Sequence, residues 1–312
     1  MLLTIRLAIV ALILLFLLSA LVVHFRSRVR LKLRRQLAGH ATVFAPYNLL
    51  MYAFSAVPPG AFPGRKRFSQ VDPLQDHWRV IRNEAAGLFD QNHIRAALKG
   101  DDASFNSFFK EGWKRFYVKW YREPLPSARK LCPRTVELVN RIPCVKAAMF
   151  ALLPPGAKLN PHRDPFAGSL RYHLGLITPN SRDCRIIVDG QEYVWHDGED
   201  VIFDETCVHW AENRTDTTRV ILFCDLERPL RSRTMARLNH RVSNFMGAIT
   251  ASPNEAGEPT GALNRLFAAL RHRREKSRRF KQHHRALFKA IKLAGVVVVL
   301  WVLLLAPWPL LR

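Results

Sequence analysis

Cysteine is scarce in this chain. There are five cysteines in 312 residues, an odd number with no metal-finger spacing, namely Cys132, Cys144, Cys184, Cys207 and Cys224. A disulfide-stapled secreted domain uses many paired cysteines, and a zinc finger needs closely spaced ones. The sequence therefore excludes both classes and indicates a reducing compartment.

Acidic residues are also few, with 25 Asp and Glu against 48 Lys and Arg, so the formal net charge is +23. Residues 26–35 supply six positive charges, and residues 271–292 supply ten against the single Glu275. No zinc-finger or RNA-binding signature accompanies them, so we predict no nucleic-acid partner. Both basic segments adjoin apolar runs, where they can contact anionic lipid headgroups.

Two runs lack charge altogether, Leu7–Val23 and Leu293–Ala306. A spanning helix needs about 20 apolar residues, which each run approaches. We predict an uncleaved N-terminal transmembrane anchor at 1–25, a basic juxtamembrane segment at 26–39, and a C-terminal transmembrane or membrane-associated helix at 293–311. Since basic flanks stay inside, the domain between the anchors faces the cytoplasm.

The predicted catalytic domain occupies residues 40–240, followed by a basic linker or helix at 241–292. Residues 40–62 are apolar and aromatic, and either pack on the core as an arm or lie at the membrane interface. Apolar residues at three- and four-residue steps predict a helix over 74–100, and another helix follows Pro133.

The period then changes to two, which indicates strands. We predict six of them, with an Asp189-Gly190 hairpin turn, at Lys146–Leu153, Ser169–Ile177, Cys184–Val188, Gln191–His196, Val201–Phe203 and Arg219–Leu226. Short strands after a group of helices predict a mainly β fold with a helical layer, a double-stranded β-helix of jelly-roll or cupin-like type. Terminal transmembrane helices flank it.

The motif His162-Arg163-Asp164, with a later His209, offers two imidazoles and one carboxylate. Three such ligands on one side of a metal leave the opposite positions open, which suits non-haem Fe(II). The separation of 47 residues, filled by strands, allows a barrel to bring His209 opposite the pair. We therefore predict His162, Asp164 and His209 as metal ligands and catalytic residues.

Three further residues can bind a carboxylate. Arg219 supplies a fixed positive charge for a dicarboxylate, and Arg171 and His173 share one face of a strand, where they could form charge-assisted hydrogen bonds. The alternatives are a polar surface stripe for the strand pair, and an ion pair with Asp225 or Glu227 for Arg219.

These residues lie in three stretches, PPGAKLNPHRDPFAGSLRYHLGLITPN, WHDGEDVIFDETCVHWAEN and TRVILFCDLERP. Over residues 40–240 the chain resembles the aspartyl/asparaginyl β-hydroxylase family of Fe(II)/2-oxoglutarate oxygenases, and within it the membrane-bound bacterial lipid A 2-hydroxylases. The resemblance implies a double-stranded β-helix, Fe(II), O2 and 2-oxoglutarate as cosubstrate. It implies that Arg171, His173 and Arg219 bind 2-oxoglutarate, with Trp120 at the position of a tryptophan of the family site.

The chain departs from the animal members of that family at two positions. They have glycine where this chain has Asp164, and a cosubstrate-binding serine where it has Ala151. We interpret Asp164 as a ligand and the serine contact as missing or replaced.

The resemblance and the anchors together predict hydroxylation at C2 of a fatty acyl chain of lipid A, at the cytoplasmic face of a bacterial inner membrane. The predicted partners are that lipid and anionic headgroups, with no obligate protein partner. The alternatives are another lipid such as an ornithine lipid, an aspartyl or asparaginyl side chain of a protein, and a non-enzymatic metal-binding scaffold.

Overall fold

A computed structural model describes residues 2–37, 39–96, 102–270 and 283–304 of the chain. The α-helices are α1 Leu2–Phe25, α2 Leu33–Leu37, α3 Ala45–Ala53, α4 Asp72–Asp76, α5 Trp78–Asp90, α6 Pro126–Leu131, α7 Pro133–Asn140, α8 Arg233–Thr250, α9 at residues 262–270, and α10 Arg285–Leu304. Short 3₁₀ helices occupy His40–Phe44, Arg65–Val71 and Phe108–Glu111. Most of the helical residues therefore lie outside the region where we predicted strands.

The described residues form ten strands. They are β1 Lys114–Trp120, β2 Glu123–Pro124, β3 Val145–Leu153, β4 Lys158–His162, β5 Ser169–Ile177, β6 Cys184–Val188, β7 Gln191–Val194, β8 Asp200–Phe203, β9 His209–Asn213 and β10 Arg219–Glu227. They form a six-stranded sheet in the order β2-β1-β3-β10-β5-β8 and a four-stranded sheet in the order β4-β9-β6-β7. All the pairings are antiparallel.

The two sheets divide strands β3 to β10 equally, as in a jelly roll. Strands β3 and β5 are buried along almost their whole length, because the inner face meets the second sheet and the outer face is covered. Helix α5 packs on β5, and α6 and α7 pack on β1. This confirms the predicted mainly β fold with a helical layer.

All six predicted strands form, and the hairpin at Asp189-Gly190 has both residues at positive φ, 50° and 84°. The prediction missed four strands, β1, β2, β4 and β9. The predicted helix over 74–100 was too long in its described part. His77 interrupts the helix between α4 and α5, and α5 ends at Asp90. Asn92 then takes a φ of 60°, which no helix accommodates. The predicted end at Gly100 lies outside the described residues.

Among the described residues one helix, Leu3–Phe25, is long and apolar enough to cross a membrane. Its first turns expose leucines such as Leu7 and Leu15, whereas Ser19, Ala20 and Val23 near its end are buried against the rest of the protein. Helix α10 forms over part of the predicted C-terminal segment, and residues 305–311 of that segment lie outside the described residues. A second membrane crossing remains a prediction.

Candidate metal centre and adjoining cavity

The two histidines of the predicted metal site are cross-strand neighbours. Strands β4 and β9 pair so that His162 lies opposite His209, and their ring centroids are 4.2 Å apart. Asp164 follows β4 by two residues. One ligand atom from each of these three residues lies within 4.8 Å of the other two. The predicted triad is therefore assembled at one end of the four-stranded sheet.

Backbone carbonyls fix both imidazoles in the same tautomer. A carbonyl oxygen only accepts, so the Nδ1 of His162, 2.7 Å from the Asn160 oxygen, carries a proton. The Nδ1 of His209 donates in the same way to the Cys207 oxygen at 3.0 Å. Burial, and then the neighbouring His162, lower the pKa of His209 to about 3. Nε2 is therefore the ring atom that each imidazole can offer to a metal.

Asp164 is held in place by contacts of its backbone and of its carboxylate. Its N–H donates to the Glu205 carbonyl oxygen at 3.0 Å. Its Oδ2 accepts from Nη2 of Arg171 at 2.7 Å, and its Oδ1 lies 3.8 Å from Nε2 of His162. One carboxylate oxygen is thus occupied by a cation, while the other faces the imidazole.

Arg171 is surrounded by carboxylates. In addition to Asp164, it contacts Glu205 through Nη2 and Asp225 through Nη1, the latter at 2.9 Å. Its guanidinium stacks 3.8 Å from the centre of the Phe223 ring. Glu205 and Asp225 are both buried, and burial raises the pKa of Asp225. Arg171 therefore supplies one positive charge for three acids, two of which are buried.

This acid-rich environment fits a divalent cation. Buried charges are stable when they are paired or coordinate a metal, and two neutral imidazoles with one carboxylate are donors that suit Fe(II). The donor set and the local charge therefore both agree with a metal at the triad.

The surroundings of Arg219 differ from those of Arg171, because Arg219 is buried without a described acid beside it. Arg219 is 2 % exposed, its guanidinium stacks 4.4 Å from the centre of the Trp195 ring, and no described carboxylate forms an ion pair with it. Burial lowers the pKa of Arg219 to about 10, so it stays charged at neutral pH. Its Nε, the Trp195 indole nitrogen and both ring nitrogens of His173 have no hydrogen-bond partner among the described residues. Burial, and then Arg219 and Arg171, hold the pKa of His173 well below its ordinary value.

A narrow cavity of about 40 Å³ joins the metal triad to Arg219. Its walls are mainly apolar and aromatic, with Phe105, Phe108, Trp113, Leu159, Ile186, Ala211, Ile221 and Phe223 among the residues that line it. Phe108 contacts His162 directly, with ring centroids 4.8 Å apart. The cavity therefore offers a metal position, unpaired donors and an apolar surface together.

Two predicted site residues need correction. Trp120 lies outside the residues that line the cavity, and its indole N–H donates to the Gly247 carbonyl at 3.1 Å, so it is not placed to bind a cosubstrate. Arg171 lines the cavity, but its guanidinium is taken up by three carboxylates. The cavity is lined by the other predicted site residues, namely His162, Asp164, His173, His209 and Arg219.

Glu205 and Trp195 were not predicted from the sequence, and the two acids considered as alternative partners of Arg219 pair elsewhere. Asp225 pairs with Arg171, and Glu227 pairs with Lys146 at 3.2 Å. A signal for Glu205 was present, because FDETCV is an apolar run interrupted by two adjacent acids just before His209. Buried acids in such a run need a cation.

The model of the family described as Aspartyl/Asparaginyl beta-hydroxylase matches residues 75–229. These residues belong to the aspartyl/asparaginyl β-hydroxylase family. The β-hydroxylase domain thus contains all the predicted site residues, and it extends from α4 to the end of β10.

Two curated relatives of the β-hydroxylase domain are similar over parts of their length. An ornithine lipid ester-linked acyl 2-hydroxylase of Rhizobium tropici is 43% identical over 121 residues, which cover 38% of this chain and 43% of that protein. The human aspartyl/asparaginyl beta-hydroxylase is 26% identical over 164 residues, 51% of this chain and 21% of that protein. The chain thus spans less than half the length of each. A Pseudomonas putida prolyl-4-hydroxylase structure aligns with a TM-score of 0.33 and 16% identity, covering 49% of this chain and 87% of that one.

Proposed function

We propose that this protein is an Fe(II)/2-oxoglutarate-dependent oxygenase that hydroxylates C2 of a fatty acyl chain of a membrane lipid. The observation that carries the proposal is the single cavity that joins the His162, Asp164 and His209 triad to the unpaired donors around Arg219. We further propose that it acts at the cytoplasmic face of a bacterial inner membrane, with α1 as its anchor.

His162, Asp164 and His209 would hold Fe(II), each through one atom. The bound iron, with 2-oxoglutarate and O2, supplies the oxidising chemistry that places oxygen on a C–H bond and releases succinate and CO2. The protein holds the ligands in register. It does so through the two Nδ1–H donations and the Arg171 contact to Asp164, which keep the free lone pairs facing one point.

Arg219 would receive the distal carboxylate of 2-oxoglutarate. A buried guanidinium without an anionic partner is costly, and a carboxylate that pairs with it recovers that cost. The Trp195 indole N–H, and the one N–H that neutral His173 carries, offer neutral hydrogen bonds nearby. Bound in this way, the cosubstrate extends from the unpaired donors towards the metal.

The apolar walls support an acyl chain as the substrate. Phe105, Phe108 and Trp113 pack against one another, and Phe108 contacts His162. A hydrocarbon chain could therefore approach the metal along an apolar surface. The similarity to an ornithine lipid acyl 2-hydroxylase supports the same substrate class. Lipid A and an ornithine lipid share the acyl group and differ in the headgroup, and the similarity to the human enzyme makes a protein side chain the second candidate.

The deciding experiment is turnover by the purified full-length protein with Fe(II) and 2-oxoglutarate, offered lipid A, an ornithine lipid or an Asp-containing peptide in separate reactions. We expect a gain of one oxygen atom on the acyl chain of a lipid, coupled to succinate, and none with His162→Ala. His77→Ala is the matched control, because His77 is exposed and lies outside the cavity. Oxygen on the peptide alone would select the second candidate, and metal binding without any succinate would leave only a scaffold.

A further inference from the structure

Arg163 lies between His162, at the end of β4, and Asp164 in the loop that follows. Its side chain points away from the cavity. His162 and Asp164 line the cavity and Arg163 does not, as expected where successive side chains of an extended segment alternate. Arg163 is 6 % exposed, and its Nη1 donates to the carbonyl oxygen of Val23 at 2.5 Å. Val23 lies in the last turn of α1. The membrane helix therefore contacts the ligand motif directly.

The end of α1 suits this contact. The last carbonyls of a helix have no partner within it and carry the negative end of its dipole, so a guanidinium there is favourable. Nε and Nη2 of Arg163 have no partner among the described residues, and no described carboxylate forms an ion pair with it. The Val23 carbonyl is thus the one described hydrogen-bond acceptor that fixes this guanidinium.

The segment after α1 is also tied to the other ligand strand. The Val29 N–H donates to Oδ1 of Asp189 at 2.8 Å, and the Asp189 N–H donates to the Val208 carbonyl at 2.8 Å, next to His209. Arg26 pairs with Asp204 at 2.8 Å, beside Glu205, whose carbonyl holds the N–H of Asp164. Residues 23–29 are therefore linked to the chain beside both His209 and Asp164.

We propose that Arg163 is a positioning residue, which sets the spacing of His162 and Asp164 according to the docking of α1. The metal site then reaches full affinity only when the carboxyl end of the membrane helix is seated on the domain. This inference rests on the metal site of the proposed function, but not on the identity of the substrate. It makes the membrane helix part of the active-site scaffold.

The test uses the full-length protein in nanodiscs, with Co(II) as the probe metal. Arg163→Gln should weaken Co(II) binding at least tenfold and change the Co(II) absorption spectrum, and Arg163→Lys should keep much of the affinity, because it retains a charged donor. Without metal, the Arg163→Gln variant should exchange its amide hydrogens faster than the wild type around residues 20–26 and 160–166. Exchange in β5 and β10 should be unchanged. Arg30→Gln is the matched control, since Arg30 is exposed and its Nε bonds only within its own segment, to the Ser27 carbonyl.

A second variant leaves Arg163 intact and moves its acceptor. One alanine inserted between Phe25 and Arg26 should displace the Val23 carbonyl and reproduce the Co(II) loss of Arg163→Gln. Wild-type Co(II) affinity and spectrum in either variant would overturn the inference. Loss of protection from hydrogen exchange throughout β5 and β10 would also overturn it, because it would show that Arg163 only stabilises the fold. Wild-type protein that binds Co(II) but hydroxylates no lipid would contradict the proposed substrate and leave this inference standing; wild-type protein that binds no Co(II) would overturn both.

Discussion

Arg171 and Arg219 line the same cavity, and both are almost completely buried. Arg171 faces Asp164, Glu205 and Asp225, whereas Arg219 has no described carboxylate partner and stacks on Trp195. The first therefore belongs to a closed ion-pair network that organises the metal end. The second is an unsatisfied cation that an incoming anion can neutralise.

The difference teaches that burial and charge alone do not identify a binding arginine. The count of acids around each guanidinium separates the two roles, because a saturated cation has little to gain from a further anion. The two ends of the cavity differ accordingly, with three acids around one guanidinium at the metal end and a guanidinium without a described carboxylate partner at the other.

The largest effect should come from removing a ligand at the metal end. His209→Ala leaves two ligands on an already open site, so we expect Co(II) affinity to fall by roughly two orders of magnitude or more and hydroxylation to reach background. Calorimetric titration of the full-length protein measures the first effect, and succinate release measures the second. Retention of wild-type affinity would show that the metal binds elsewhere.

Arg171→Met should destabilise the protein by about 3–5 kcal/mol, since it leaves two buried carboxylates, Glu205 and Asp225, without their cation. Arg219→Met should leave stability unchanged or raise it, because it removes an unpaired buried charge. Urea denaturation followed by fluorescence gives the free energy of unfolding for both variants. Equal losses would mean that the two arginines do not differ as described.

Arg219→Ala should raise the KM for 2-oxoglutarate by roughly 10- to 150-fold, the equivalent of losing a charged hydrogen bond of about 1.5–3 kcal/mol. Steady-state rates at saturating lipid give this number. Arg214→Ala provides the control, because Arg214 is half exposed and pairs with Glu212 on the outer side of β9. An unchanged KM would remove Arg219 from the cosubstrate site.

The smallest effect concerns the two tryptophans. Trp195→Phe keeps the ring beneath Arg219 but removes the indole N–H, so the KM for 2-oxoglutarate should rise by only about 2- to 10-fold, as for one neutral hydrogen bond. Trp120→Phe should leave that KM unchanged, because its N–H is already bonded to Gly247. A rise with Trp120→Phe alone would restore the assignment made from the family resemblance.

Much of the fold was predictable because its strands carry a clear period of two. β5 was predicted with its observed bounds, Ser169–Ile177. Strands β4 and β9 were missed because their polar ligand and loop residues interrupt that period, as in KLNPH and HWAEN. The strands that carry the two proposed histidine ligands are thus among those with a weak strand signal.

The ligand triad was predictable from residue type and spacing, but its surroundings were not. Glu205 and Asp225 meet Arg171 only through the sheet pairing of β5 with β10 and the loop before β9. The Arg163 contact to Val23 joins residues 140 positions apart, and no local pattern indicates it. Long-range pairing of charges therefore required the structure.

Cys207 bears on which donors the proposed metal site would offer. Its thiol is buried and has a pKa that burial raises to about 11, and its carbonyl accepts from Nδ1 of His209. Its sulfur lies instead 3.9 Å from Nη1 of Arg26. The residue would therefore contribute only its backbone to the site, which would leave nitrogen and oxygen donors around the metal.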